Sequence, residues 1–246
     1  YIDINLKGSW IMKNQLLVID ILAHNDWDRP IYFVAGQHED ALGLEEYFRL
    51  EGLAYRLVPV KGENKSWFEY GTIDTDILYD NMMNKFTWTG SADPDVYIDY
   101  YHNRTLTVVR ARLNYSKLAK QLAAEGDTVR AKEVINRCIE LFPVSKMGYD
   151  FYFSDIISAC FAAGDREKAK ELASGFAGYY YDRSGYILDQ RPSVALYAEA
   201  EIANGLQMMM QAMRVCFDNG EIILAEEINV KYNELYSRYV QMSQQK

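Results

Sequence analysis

The residues of this chain whose types and spacing could do chemistry lie near its start. Asp20 and His24 stand one helical turn apart, with Asp26, Asp28 and the run His38-Glu39-Asp40 close by in sequence, and carboxylates and imidazoles so grouped are ligands a divalent cation takes. No His-Glu-x-x-His spacing accompanies them. The plainer reading is that Asp20 and His24 satisfy backbone groups where a helix meets a strand, so no metal is expected. Arg29 and Arg56 each stand beside a β-type run, where a guanidinium could grip a carboxylate or phosphate. Pairing with Asp26, Asp28 or Glu51 is the structural alternative. With Tyr179 and Tyr180 the two arginines make a secondary candidate site. The sequence holds no Gly-x-Ser-x-Gly elbow, phosphate-cradling glycine loop or dinucleotide fingerprint. Paired carboxylates for glycoside hydrolysis can be drawn from 35 acids in countless ways and signify nothing without geometry. No catalytic residue and no cofactor is expected in this chain.

The elements that would position such residues are mostly helical. Gly126-Asp127 with Ala131, Gly164-Asp165 with Ala169, and Gly220-Glu221 with Ala225 repeat one signature, each where one amphipathic stretch ends and another begins. Tyr115, Leu118, Ala119 and Leu122 precede Gly126, and Ala131, Ile135, Cys138 and Pro143 follow it, so apolar positions recur at helical steps on both sides of a turn. Gly closes the first helix in the left-handed conformation, and the acid offers a cap to the second. Residues 112–143 resemble the tetratricopeptide repeat family. The second copy keeps the turn but has Ile157 and Phe176 at positions usually small, and the third, with Met209, Ala212, Met213, Cys216, Asn229 and Tyr232, departs further. That resemblance implies a groove lined by the first helix of each unit. Lys120, Ser158 and Arg214 fall in one row and Ala123, Phe161 and Phe217 in another, joined by Phe151, Ser154 and Met210. Two cations and several apolar anchors suit an extended peptide with an acidic group, or a neighbouring domain. Cover by the chain's own loops is the alternative. The Met208, Met209, Met210 and Met213 cluster reads as core before it reads as an adaptable surface.

The first hundred residues follow another pattern. Ile2, Ile4 and Leu6 alternate with polar residues as a short strand would, Met12 to Asn25 reads as a helix, and Pro30 to Ala35 as a strand. Leu42 to Leu50 reads as a second helix ended by Gly52, and Tyr55 to Val60 as a strand, so a parallel crossover is expected. Asp74 or Thr75 caps a helix through Phe86, and Trp88 to Tyr101 is a loop. The fold expected is mainly α: a tetratricopeptide-like helical hairpin array preceded by a small α/β cap with a short sheet. The cap spans 1–103 and the repeats 104–246, with units near 104–143, 149–181 and 193–243 joined by inserted loops, chiefly Tyr179 to Pro192.

A second resemblance rests on His24-Asn25-Asp26-Trp27-Asp28-Arg29-Pro30-Ile31-Tyr32-Phe33, on Glu51-Gly52-Leu53-Ala54-Tyr55-Arg56-Leu57-Val58-Pro59, and on Asn81-Met82. With the helical repeats these resemble the soluble C-terminal portion of a bacterial family of multi-span membrane proteins, itself similar in its membrane half to protein O-mannosyltransferases. The resemblance implies that any catalytic carboxylate lies in a missing membrane half. It also implies that this chain is the water-exposed appendage, on the extracytoplasmic face.

Bulk properties bound these readings. A chain of 246 residues can bury roughly three quarters of its unfolded surface, so the core needs no staples. A net charge of −9 without a cluster of Lys and Arg argues against nucleic acid. Cys138, Cys160 and Cys216 fall inside helices as small apolar residues. The most apolar run, Leu16 to Ala23, contains Asp20 and is far short of the ~20 residues of a spanning helix. The chain begins at Tyr1 rather than Met and carries no signal pattern, so a piece of something longer is expected. Asn64-Lys65-Ser66, Asn103-Arg104-Thr105 and Asn114-Tyr115-Ser116 match the glycosylation sequon, with little weight in a bacterial chain. Tyr supplies 20 of the aromatic residues, including Tyr179-Tyr180-Tyr181, and such rings can stack on sugars. The resulting expectation is a non-catalytic module that positions an acceptor polypeptide or assembly partner. A stand-alone cytoplasmic scaffold, or a carbohydrate-binding or hydrolase domain, is the alternative.

Overall fold

The computed structural model describes residues 2, 4, 10–34, 41–62 and 71–244, apart from the side chains of residues 102 and 103. The chain divides into two compact units, Tyr1–Thr87 and Trp88–Lys246. The stretch after residue 87 belongs with the helices for a physical reason. The Trp88 ring meets Phe142 edge-on with centroids 5.0 Å apart, and Lys146 Nζ donates to the carbonyls of Gly90, at 3.1 Å, and Asp93.

In the first unit α1 spans Lys13–His24, followed by β1 (Tyr32–Val34), β2 (Phe48–Leu50), β3 (Ala54–Leu57), β4 (Thr72–Ile73) and α2 (Thr75–Tyr79). The strands form one sheet in the order β1-β3-β2-β4. β3 is antiparallel to both β1 and β2, and β2 runs parallel to β4. The expected helix at Leu42–Leu50 is replaced by a 3-10 turn at Glu45–Tyr47 and strand β2. The expected parallel crossover is absent too. Phe48 and Leu50 are buried and Arg49 is not, a period of two that a strand meets and a helix does not. Glu51 N donates to Ala54 O at 3.1 Å, so only Gly52 and Leu53 join β2 to β3. A two-residue link folds strands back antiparallel, and its first position takes the positive φ of Gly52, +134°.

Ile2 and Ile4 lie in no strand, and Leu6 is outside the described residues. Asp74 caps α2 as expected, its Oδ1 accepting from Ile77 N at 3.1 Å. The helix then widens into a π-helical turn at Asp80–Lys85. Among the described residues Leu42, Leu44, Tyr47, Phe48, Leu50, Tyr55, Leu57, Leu78 and Met82 are the unit's large buried apolar side chains.

The helices of the second unit begin with a π-helical segment, Tyr100–Val108, that runs into α3 (Val109–Ala124). There follow α4 (Thr128–Leu141), α5 (Val144–Met147), α6 (Phe153–Ala162), α7 (Arg166–Leu188), α8 (Pro192–Tyr197), α9 (Glu199–Asp218) and α10 (Ile222–Ser243). α3/α4, α6/α7 and α9/α10 are hairpins. α6 packs against both α3 and α9, and α7 against both α9 and α10. The three turns share one hydrogen-bond pattern. Gly126 N donates to Ala123 O and Asp127 N to Leu122 O, and the same pair recurs at Gly164-Asp165 and Gly220-Glu221. This is the Schellman closure, and it needs the positive φ of those glycines, +89°, +73° and +78°.

The expected loop from Tyr179 is helix instead, because α7 continues to Leu188. Phe176, Ala177, Tyr180, Ser184 and Ile187 all turn inward, a helical spacing that carries the element past the tyrosine triplet. The three cysteines are buried as expected. Asn114, in the third sequon, is buried within α3. Asn64 of the first lies outside the described residues.

Candidate functional site

Hydrogen bonds between α3, α6 and α9 show which side chains share a surface. Lys120 Nζ on α3 reaches Asp155 Oδ1 on α6 at 2.6 Å, and Ser154 Oγ on α6 donates to Gln211 Oε1 on α9 at 3.2 Å. Beside these links Phe151 and Met210 are each 47 % exposed and Phe217 is 62 % exposed. Met210, Arg214 and Phe217 follow at steps of four and three along α9, so they form one stripe. The Arg214 side chain is 82 % exposed, with its Nε 3.6 Å from Asp218 Oδ2.

The expected groove residues divide between open and covered positions. Lys120, Ser154 and Ser158 are half-buried, as is Ala123. Phe161 is buried, with the Arg166 guanidinium 5.8 Å from its ring centre, because its helical position turns it toward the neighbouring helix. It is therefore not an open anchor. Lys120 is committed to an acid of the next helix, which leaves Arg214 as the outward cation of that row. Met208 and Met209 are fully buried, Met213 is half-buried and Met210 is open, so the methionine cluster is split between core and surface.

A residue that sequence reasoning missed holds the first two hairpins together. Arg112 on α3 is 1 % exposed. Its Nη1 donates to Gly148 O at 2.8 Å and to Asp150 Oδ2 at 2.6 Å, and its Nη2 donates to Phe142 O at 2.7 Å. The guanidinium also lies 5.5 Å from the Phe153 ring centre. The only sequence hint was a basic residue on the apolar side of a helix. Nearby groups are held protonated by burial: the Tyr115 hydroxyl and the Cys138 thiol are each pushed up to about 12, and Cys160 likewise.

The secondary candidate divides between the units. Tyr180 is buried in α7 with its ring 5.1 Å from Phe176, Tyr179 is half-buried, and Tyr181 donates to Glu234 Oε2 at 2.8 Å. The triplet is thus not an open stacking platform, since helical spacing sends its members in different directions. In the first unit, Tyr32, Arg56, Arg49 and Thr72 are register partners across all four strands. Directly opposed arginines repel, and Glu51 offsets this. Its Oε1 accepts from Arg49 Nε at 2.8 Å and lies 3.7 Å from Arg56 Nη1, while its Oε2 accepts from Tyr32 Oη at 2.9 Å. Desolvation, and then the bond to Glu51, raise the Tyr32 pKa.

Arg29 is exposed, and its carbonyl accepts from Asn25 Nδ2 at 2.9 Å. His24 Nδ1 lies 2.8 Å from the Asp20 carbonyl and 3.3 Å from Asp20 Oδ1. Among the described residues no three His, Cys, Asp or Glu side chains gather as a metal site would require. His38-Glu39-Asp40 lie outside the described residues.

The sheet and α1 fall within the part of the chain that a family model matches. Residues 1–77 match the family model described as TMEM260-associated domain 2. That description fits a domain associated with a membrane protein, and the match ends before the helical hairpins begin. No curated protein matches the chain, and no solved structure does. Among the described residues no helix is long and apolar enough to cross a membrane.

Proposed function

We propose that this chain is a non-catalytic interaction module that holds an extended segment of an acceptor polypeptide or assembly partner across α3, α6 and α9. In this reading it is the water-exposed, extracytoplasmic appendage of a membrane protein whose membrane half resembles lipid-linked-sugar glycosyltransferases. The hairpin array is read as tetratricopeptide-like. The observation that carries the proposal is the stripe of Met210, Arg214 and Phe217 left open beside Phe151 on a face already tied together by cross-helix bonds. Large apolar side chains around one outward guanidinium suit a segment with apolar anchors and a carboxylate. The helical faces buried elsewhere supply rigidity, which lowers the ordering cost of binding.

A random peptide library selected on the immobilised chain tests the recognition. Sequences with an acid flanked by apolar residues should be enriched, and a Met210→Asp/Phe217→Asp variant that melts normally should lose them. No enrichment, or enrichment that the variant retains, would reject the face. Blotting fractionated native cells tests the appendage reading separately. A membrane-bound band much larger than 28.5 kDa agrees with it, and a free band of that size means a stand-alone scaffold.

A further inference from the structure

Helix α1 has two different sides. Gln15, Val18, Ile19 and Leu22 are half-buried, so they form the side by which the helix packs. At the helical step of about 100° per residue, Lys13, Asp20 and His24 fall along one line on the opposite side. Leu16 flanks that line on one side and Leu17 on the other, all within an arc of about 100°. These five residues are exposed, the leucines at 57 % and 60 %. Among the described residues the Lys13 side chain makes no hydrogen bond or ion pair, and the Asp20 carboxylate meets only His24 Nδ1 of its own helix, at 3.3 Å. The open side of α1 thus carries two uncovered leucines and two charges of opposite sign that no other element uses.

We propose that α1 pairs antiparallel with α1 of a second copy of this chain, about a twofold axis that passes between Leu16 and Leu17. The charge pattern selects this occupant. Lys13 and Asp20 lie equally far from that axis along the helix, so the twofold sets each Lys13 against the Asp20 of the other copy. Both ends of the seam are then ion pairs. The same register gathers Leu16 and Leu17 of the two helices around the axis, where each leucine covers another. A parallel pair would instead set Lys13 beside Lys13 and Asp20 beside Asp20, so the charges fix orientation as well as register. Such a self-complementary patch is what a twofold dimer uses. Lipid does not fit the face, because its centre line is charged and would lose its hydration. The seam is about 18 Å long, too short to bury the area of a permanent dimer, so a dissociation constant of about 100 µM is expected. The pairing does not use the face of α3, α6 and α9, so its test and the peptide selection succeed or fail independently.

The experiment is sedimentation equilibrium of the whole chain at about 0.15 M salt, beside Lys13→Asp, Asp20→Lys and the double variant Lys13→Asp/Asp20→Lys. Each single variant turns both attractions into repulsions, and the double variant restores them with the signs exchanged. Both positions are exposed, and aspartate in the first turn suits the helix dipole, so the variants should keep the circular dichroism melt. Expected results are a species of twice 28.5 kDa in reversible equilibrium with the monomer, and a weakening of about tenfold or more in each single variant. The double variant should recover to within about threefold of the unaltered chain. A chain that stays monomeric up to about 1 mM would overturn the proposal, whether or not vesicles or another protein then take the face. So would a dimer that the single variants leave intact, or one that the double variant does not restore.

Discussion

Arg112 illustrates what a single buried charge does in this array. Its guanidinium serves the carbonyls of Phe142 and Gly148, which cap the ends of α4 and α5, and the Asp150 carboxylate that precedes α6. Replacing it by Met keeps the stem but strands Asp150 and two carbonyls. Losing one partner of a buried pair costs about 3–5 kcal/mol. Arg112→Met should therefore lower the urea unfolding free energy by about 3 kcal/mol, and a loss below about 1 kcal/mol would mean that water replaces the guanidinium.

The protonated neighbours give a pH dependence of definite sign. Burial raises Cys138 from 9.0 and Tyr115 from 10.0, each to about 12, so folding favours their neutral forms. The stability they contribute is complete below the unfolded values and is lost as pH climbs toward the folded ones. Urea midpoints should stay level in this respect below pH 9 and fall between pH 9 and about 12. A Cys138→Ala/Tyr115→Phe variant should lose part of that fall.

At the scale of elements, glycines do two different jobs. Gly126, Gly164 and Gly220 face open space and are needed only for positive φ, so alanine at any of them should cost about 1–2 kcal/mol through backbone strain alone. Gly205 sits inside α9, where a Cβ would overlap Ser184 Oγ on α7. Its job is close approach of two helices. Gly205→Ala should destabilise the chain, and Ser184→Ala should recover part of the loss, with a coupling of about 1 kcal/mol in a double-mutant cycle. Additive effects would show that Ser184 simply rotates away. The charge links behave differently again. Lys120→Glu would face Asp155 and weaken the α3 to α6 contact, so it confounds binding with folding. Arg214→Glu does not carry that complication, because its partner Asp218 is on its own helix.

The whole molecule joins two units built on different periods. The contacts described for Trp88, Arg112, Lys146 and the three hairpins all fall within Trp88–Lys246. That segment expressed alone is expected to keep its helical circular dichroism and its peptide selection. Loss of cooperative melting in the segment would mean that the first unit is required for the fold.

Local chemistry was legible from the residues: the hairpin turns at Gly126, Gly164 and Gly220, the cap at Asp74, helix α1, the buried cysteines and the mainly helical class all follow from spacing and backbone preference. Patterning misled where one string suits two structures. Leu42–Leu50 has enough apolar residues for a helix, but the two-residue link at Gly52-Leu53 and burial of alternate side chains make its end a strand. Tyr179 to Pro192 looked like a loop inserted between repeat units, yet packing of Phe176, Tyr180 and Ile187 carries α7 on to Leu188. The sequence by itself determined where hairpins turn, because a Schellman closure depends on a few adjacent residues. Only the tertiary structure decided which groove residues stay open, that Phe161 is covered, that Lys120 is spent on Asp155 and that Arg112 is a brace. Exposure and pairing depend on neighbours tens of residues away, and no local pattern encodes them.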